Sequence, residues 1–190
     1  MLGSAEQTFT STGAKYARHW PMIEALREGR GAPQSLQVSV TNACNLACIF
    51  CSTDERELKQ KWDISELIEA LTMFRQIGIK TVEFSGGGDP TLYRELPEVV
   101  AYCRGAGLKM GMITNGIKLK DLPRETLDSF SWIRVSMVSL DYVRTVDLPQ
   151  PWPNNTVLGM SYVVGQINYN GTDRRYNDSD LEGLKMVKEY

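Results

Sequence analysis

Short apolar runs alternate with amphipathic stretches along most of this chain, and the change of period predicts strand and helix by turns. Leu36 to Thr41 reads as a strand. Asp63-Ile64-Ser65-Glu66 then has capping-box form, followed by Ile64, Leu67, Ile68, Leu71, Phe74 and Ile77 at helical spacing, with Gly78 where a C′ glycine belongs. This predicts a helix that buries the whole stripe. Thr81 to Phe84 is a second short strand, left through the glycine-rich turn Ser85 to Leu92. A helix starting near Pro97 carries Leu96, Val99, Val100 and Cys103 on one face and closes at Gly105 and Gly107. Lys109 to Thr114 is a third strand ending in Thr114-Asn115-Gly116, Leu122 to Phe130 a short helix with Pro123 at its start, Trp132 to Leu140 a fourth strand and Thr156 to Val164 a fifth. Val146 to Asn155, with Pro149, Pro151 and Pro153, reads as loop.

The two ends read differently. Residues 1–34 form an expected helical arm, with one broken helix or two short ones between Lys15 and Arg27, Pro21 suited to a first helical position, and Gly29, Gly31 and Pro33 ending it. At the other end Gln166 to Asp178 reads as a solvated polar loop, and Ser179-Asp180-Leu181-Glu182 as a capping box opening a last helix with Leu184, Met186 and Val187. Strand alternating with helix argues an α/β fold with a parallel sheet and right-handed crossovers, here a core over residues 35–190.

Composition narrows the function classes. The 190 residues, 42% hydrophobic, suit one globular domain with a real core. A net charge of -2 from 21 basic and 23 acidic residues gives no broad attraction to nucleic acid. Neither a basic N-terminal region followed by an apolar run nor a window near the ~20 apolar residues of a membrane span occurs. The expectation is a cytoplasmic protein with no membrane partner.

Candidate chemistry gathers in the loop after the first strand, where three of the four cysteines, Cys44, Cys48 and Cys51, are spaced C-x3-C-x2-C. Cysteines grouped in one loop of a non-secreted chain favour metal or redox chemistry over a disulfide framework. Crowded thiolates need a metal centre, and soft sulfur selects zinc, copper(I) or iron-sulfur clusters. Structural zinc is closed by four ligands. A cubane held by three cysteines keeps one iron open. The only histidine, His19, reads as a packing residue beside Trp20, and Cys103 as a buried apolar residue on its helix face. Two alternatives stand: a non-catalytic zinc or iron-sulfur module completed by His19 or Cys103, and a thiol redox pair of Cys48 and Cys51 that leaves Cys44 surplus. The charged run Asp54 to Lys61 reads as solvated.

The cysteine spacing, with Phe50 directly before the last cysteine, resembles the cluster loop of the radical S-adenosylmethionine (SAM) enzymes. One strand later Gly86-Gly87-Gly88-Asp89-Pro90 resembles that family's glycine-glycine-glutamate-proline turn, with aspartate in place of the usual glutamate. The resemblance implies a partial (β/α) barrel of about five to six strand-helix units. It further implies a [4Fe-4S] cluster on Cys44, Cys48 and Cys51, and SAM chelated to the open iron and bound by the backbone of Gly86, Gly87 and Gly88. Asp89 serves either ligand contact or turn stabilisation. Asn115 contacts SAM or holds its own turn, Ser136 approaches the ribose unless the register brings Ser139 and Asp141 there, and Ser161 with Gly159 neighbours the adenine. The implied activity is reductive cleavage of SAM to a 5′-deoxyadenosyl radical that abstracts hydrogen from a peptide, nucleotide or small metabolite. An electron donor such as flavodoxin or ferredoxin is the implied partner.

Overall fold

Five strands lie side by side in chain order, every pairing parallel: β1 (Ser35–Val38), β2 (Thr81–Phe84), β3 (Lys109–Thr114), β4 (Trp132–Ser136) and β5 (Val157–Ser161). The computed structural model describes residues 20–31, 33–48 and 50–163, together with the backbone of 167–169 and 172–174. β1 and β5 are the edges of an open sheet, so the described strands form no closed barrel. No helix among the described residues is long and apolar enough to cross a membrane.

The register sorts the strands into two unlike faces. Val38, Phe84, Met112 and Ile133 stand level and are buried, sharing one core with Leu67 and Leu71 of helix α2 (Ile64–Gln76) and with Leu96, Val99, Val100 and Cys103 of α3 (Leu96–Gly105). Phe130 meets Phe84 edge to face at 6.1 Å. Each fully buried aliphatic side chain here contributes about 1.5–3 kcal/mol. The adjacent row, Gln37, Glu83 and Trp132, lies on the opposite face, with Gln37 exposed and the other two half-buried. One face is core and the other is half open.

Both end signals of α2 act as the sequence predicts. Asp63 caps α2, accepting from the Ser65 backbone N–H at 2.8 Å, and Gly78 takes the left-handed conformation just past its end, at φ 112°. The stripe on α2 is shorter than its spacing suggests: Leu67 and Leu71 are buried, but Phe74 and Ile77 are exposed. Each i+3 step turns about 60° back around the axis, so two in succession carry the stripe off the sheet.

Other elements depart further from expectation. β4 ends at Ser136, and Met137–Asp141 is a 3-10 turn whose Met137, Val138 and Ser139 are buried. Burial of a turn mimics an apolar strand in sequence. The expected helix over Leu122 to Phe130 shrinks to α4 (Arg124–Leu127), and β5 is shorter at both ends than Thr156 to Val164. Within the expected polar loop, β6 (Ile167–Tyr169) and β7 (Thr172–Arg174) pair antiparallel. Toward the N-terminus, α1 (Trp20–Arg27) buries none of its residues. His19 and the last expected helix lie outside the described residues.

Candidate functional site

Because the strands are parallel, the loops after β1, β2, β3 and β4 all emerge at one edge. The cysteine loop is clamped at its base: Asn42 N–H donates to Gln60 O at 2.8 Å and Trp62 N–H to Val40 O at 3.1 Å, so residues 42–60 leave and return together. Within it, Cys51 N–H donates to Cys48 O at 2.9 Å.

The glycine turn after β2 is stitched along this loop. Ser85 N–H donates to Val38 O at 3.0 Å, Gly88 N–H to Thr41 O at 2.7 Å and Asp89 N–H to Ala43 O at 2.8 Å. A Cβ on Gly88 would run into the Ala43 carbonyl, and one on Gly87, at φ 57°, into Ser39 and Asn42. The close approach that needs glycine at these two positions is to the cysteine loop itself. From the far end of the loop Thr53 Oγ1 donates to Gly87 O at 3.0 Å.

Asp89 is tied into the turn. Buried at 4% exposure, it accepts from Thr91 N–H at 3.0 Å, Thr91 Oγ1 at 2.6 Å, Thr114 Oγ1 at 2.9 Å and Asn115 N–H at 2.7 Å. Its carboxylate brackets the turn to the end of β3. Asn115 Nδ2 in turn donates to Asn45 Oδ1 at 2.7 Å and lies 3.9 Å from Cys44 Sγ, while its Oδ1 accepts from Ile117 N–H at 3.0 Å.

These groups surround one cavity of about 330 Å³, lined by Cys44, Cys48, Phe50 and Cys51, by Gly86 to Asp89, and by Asn115 and Ser136 among others. Ser136 closes β4 there. Ser139 is buried and donates to Ser136 O at 3.2 Å, and Asp141 accepts from the Tyr162 hydroxyl at 2.7 Å, so Ser136 is the serine of this register that faces the cavity. Ser161 stands beside Ser136 in the sheet but does not line the cavity.

The thiols differ. Burial pushes the Cys48 thiol up, the neighbouring Cys44 adds to this, and the Tyr142 hydroxyl opposes it. Burial also acts upward on Cys51, but hydrogen bonds from Thr53 and the Arg56 guanidinium outweigh it and leave that thiol below its ordinary range. Cys103, with no exposure, is pushed up to about 12 by burial alone and does not line the cavity. It is a core residue, as its place on the helix face predicts. Among the described residues no group of three His, Cys, Asp or Glu side chains converges on a single metal ion.

Sequence reasoning passed over Thr53, Arg56, Thr114 and Tyr142. Arg56 sits in the charged run expected to be solvated, yet it is half-buried: Nε donates to Asn42 O at 2.8 Å and Nη1 to Thr53 O at 2.5 Å. No period marks such a residue, since it folds back within one irregular loop.

The fold and this edge define a parallel α/β protein with a three-thiol loop and a glycine turn at the carboxyl ends of adjacent strands. The model of the Radical SAM superfamily matches residues 38–142. The chain is 32% identical over 113 residues to a probable GTP 3′,8-cyclase of Sulfolobus acidocaldarius, covering 58% of this chain and 36% of that protein. To the GTP 3′,8-cyclase of Tolumonas auensis it is 33% identical, covering 65% and 40%. To the PqqA peptide cyclase of Streptomyces rochei it is 29% identical, covering 52% and 29%. The chain thus spans well under half the length of these relatives. Among solved structures, Streptococcus suis SuiB bound to S-adenosylmethionine superposes with a TM-score of 0.55 at 15% identity, covering 96% of this chain and 54% of that one, a likeness of fold. This chain belongs to the radical SAM superfamily.

The cofactors of that family are a [4Fe-4S] cluster and SAM. The residues present fit them: three soft thiols and a close-packed glycine turn share one cavity.

Proposed function

We propose that this chain is the core of a radical SAM enzyme that cleaves SAM reductively and passes the resulting radical to a peptide, nucleotide or small metabolite. The observation that carries the reading is the single cavity shared by Cys44, Cys48, Cys51, the Gly86 to Asp89 turn, Asn115 and Ser136. In this reading Cys44, Cys48 and Cys51 would hold the cluster. A cluster held there would supply the electron for reductive cleavage of SAM to methionine and a 5′-deoxyadenosyl radical, which would take a hydrogen atom from substrate. The protein's part is to orient and shield. Gly86, at φ 84°, and its neighbours offer backbone groups to SAM, Phe50 and Ile113 give the cavity apolar wall, and Ser136 offers a hydroxyl toward the ribose. Ser161, beside Ser136 on β5, extends that polar edge.

The substrate classes follow relatives named for a nucleotide and for a peptide. An external one-electron donor of the flavodoxin or ferredoxin type completes the reaction, and residues 1–34 serve as an arm beside a core from residue 35 onward. The test is anaerobic iron-sulfur reconstitution, then electron paramagnetic resonance of the dithionite-reduced protein with and without SAM, with an assay for 5′-deoxyadenosine. The expected result is a cubane signal that changes on adding SAM, lost in Cys48→Ala. A colourless protein that takes up zinc and ignores SAM overturns the proposal.

A further inference from the structure

Arg56 is held from both ends of the cysteine loop. Its Nε donates to Asn42 O, two residues before Cys44, at 2.8 Å, and its Nη1 to Thr53 O, two residues after Cys51, at 2.5 Å. Nη1 also points to Cys51 Sγ at 3.4 Å. A planar guanidinium anchored through two of its nitrogens has no freedom to follow or leave the sulfur. The N–H···S contact is therefore imposed by the loop backbone. Among the described residues no carboxylate pairs with Arg56, and its sequence neighbours Glu55 and Glu57 are exposed. Its positive charge therefore lies against the sulfur with no carboxylate between them.

We infer that Arg56 is a positioning residue that raises the reduction potential of the iron-sulfur centre through its hydrogen bond to Cys51. The inference rests on the reading that Cys44, Cys48 and Cys51 hold a cluster. Reduction adds one electron to a centre already ringed by thiolates. A fixed cation and a hydrogen bond at one sulfur stabilise the reduced form more than the oxidised one, and hydrogen bonds to sulfur are among the determinants of such potentials. In an enzyme that must receive an electron before it acts, Arg56 makes that transfer easier. Among the described residues the other two sulfurs have no such cation: Cys44 has an amide nitrogen at 3.9 Å and Cys48 a tyrosine hydroxyl, both neutral.

The test is a potentiometric titration of the anaerobically reconstituted chain without SAM, followed by electron paramagnetic resonance, for the parent, Arg56→Lys, Arg56→Gln and Arg56→Met. Iron content and far-UV circular dichroism are measured on each. The expected result is a full cluster in every variant, with the reduction equilibrium weakened about tenfold in Gln and Met, which is ~59 mV more negative for one electron, and less in Lys. Midpoints equal to the parent's at full iron content overturn the inference. So does loss of the cluster in all three variants, which makes Arg56 a loop-folding residue only. A parent chain that takes up no cluster sinks the proposed function itself, a result distinct from either.

Discussion

Replacing Asp89 tests whether its carboxylate belongs to the fold or to a ligand. Its two oxygens gather four donors, Thr91 N–H, Thr91 O–H, Thr114 O–H and Asn115 N–H, in a niche where the residue is 4% exposed. A hydrogen bond to a charged group contributes about 1.5–3 kcal/mol, and a stranded buried donor costs about 1–3 kcal/mol. The four share one side chain and are not additive, so Asp89→Ala is expected to cost roughly 3–5 kcal/mol in total. That is a large part of the 5–15 kcal/mol typical of a domain. Asp89→Asn keeps the shape but turns an amide N–H toward at least one donor, at about 2 kcal/mol. Asp89→Glu keeps the charge yet adds a methylene to a filled niche, at about 1–3 kcal/mol. The assay is urea unfolding of the metal-free chain followed by circular dichroism, with free energies from linear extrapolation. Metal-free protein isolates the structural role. An Asp89→Ala chain within 1 kcal/mol of the parent would refute the bracket and return the carboxylate to ligand binding.

Further substitutions probe the surrounding packing. Gly88→Ala, whose Cβ would meet the Ala43 backbone, is expected to lower iron uptake severalfold on reconstitution, whereas Gly105→Ala, at the end of α3 with open space around it, should raise stability by about 0.5–1 kcal/mol. Iron assays and urea unfolding of the pair check both. Arg134 on β4 encloses an Nε with no hydrogen-bond partner among the described residues; Arg134→Met should therefore leave stability unchanged or raise it by about 1 kcal/mol, and a loss above 1 kcal/mol in unfolding contradicts this. Tyr102→Phe removes the 2.6 Å contact to Thr72 Oγ1 that joins α3 to α2, and is expected to cost about 1 kcal/mol while iron loading stays at the parent level.

Much of this architecture is legible in the chain because one physical signal governs it. The period of apolar residues places β1 to β5 and α2 and α3 to within a few residues, and capping chemistry at Asp63 and Gly78 sharpens α2. Where burial and periodicity part company, the reading slips: Met137 to Ser139 are as buried as a strand but turn, and Phe74 and Ile77 keep helical spacing but face water. At the site, cysteine spacing and the glycine turn announce themselves, being chemically unusual and local. The groups that fix their geometry do not. Arg56, Thr53 and Thr114 act through contacts across loops, with no spacing rule that links an arginine to a sulfur five residues back or a threonine to a carboxylate 25 residues away.

The stitching of the cysteine loop also orders events in time. Its partners are remote in sequence, Thr53 reaching Gly87 across 34 residues and Asn115 reaching Cys44 across 71. Contacts of that separation form only after the intervening chain has closed, and parallel pairing is slow to close. The loop therefore takes its final shape only once β1, β2 and β3 are in register. Unlike a zinc finger, where the ion drives an unfolded segment to fold, this chain is expected to complete its scaffold before any iron and sulfide enter, so that they meet a mould already cast.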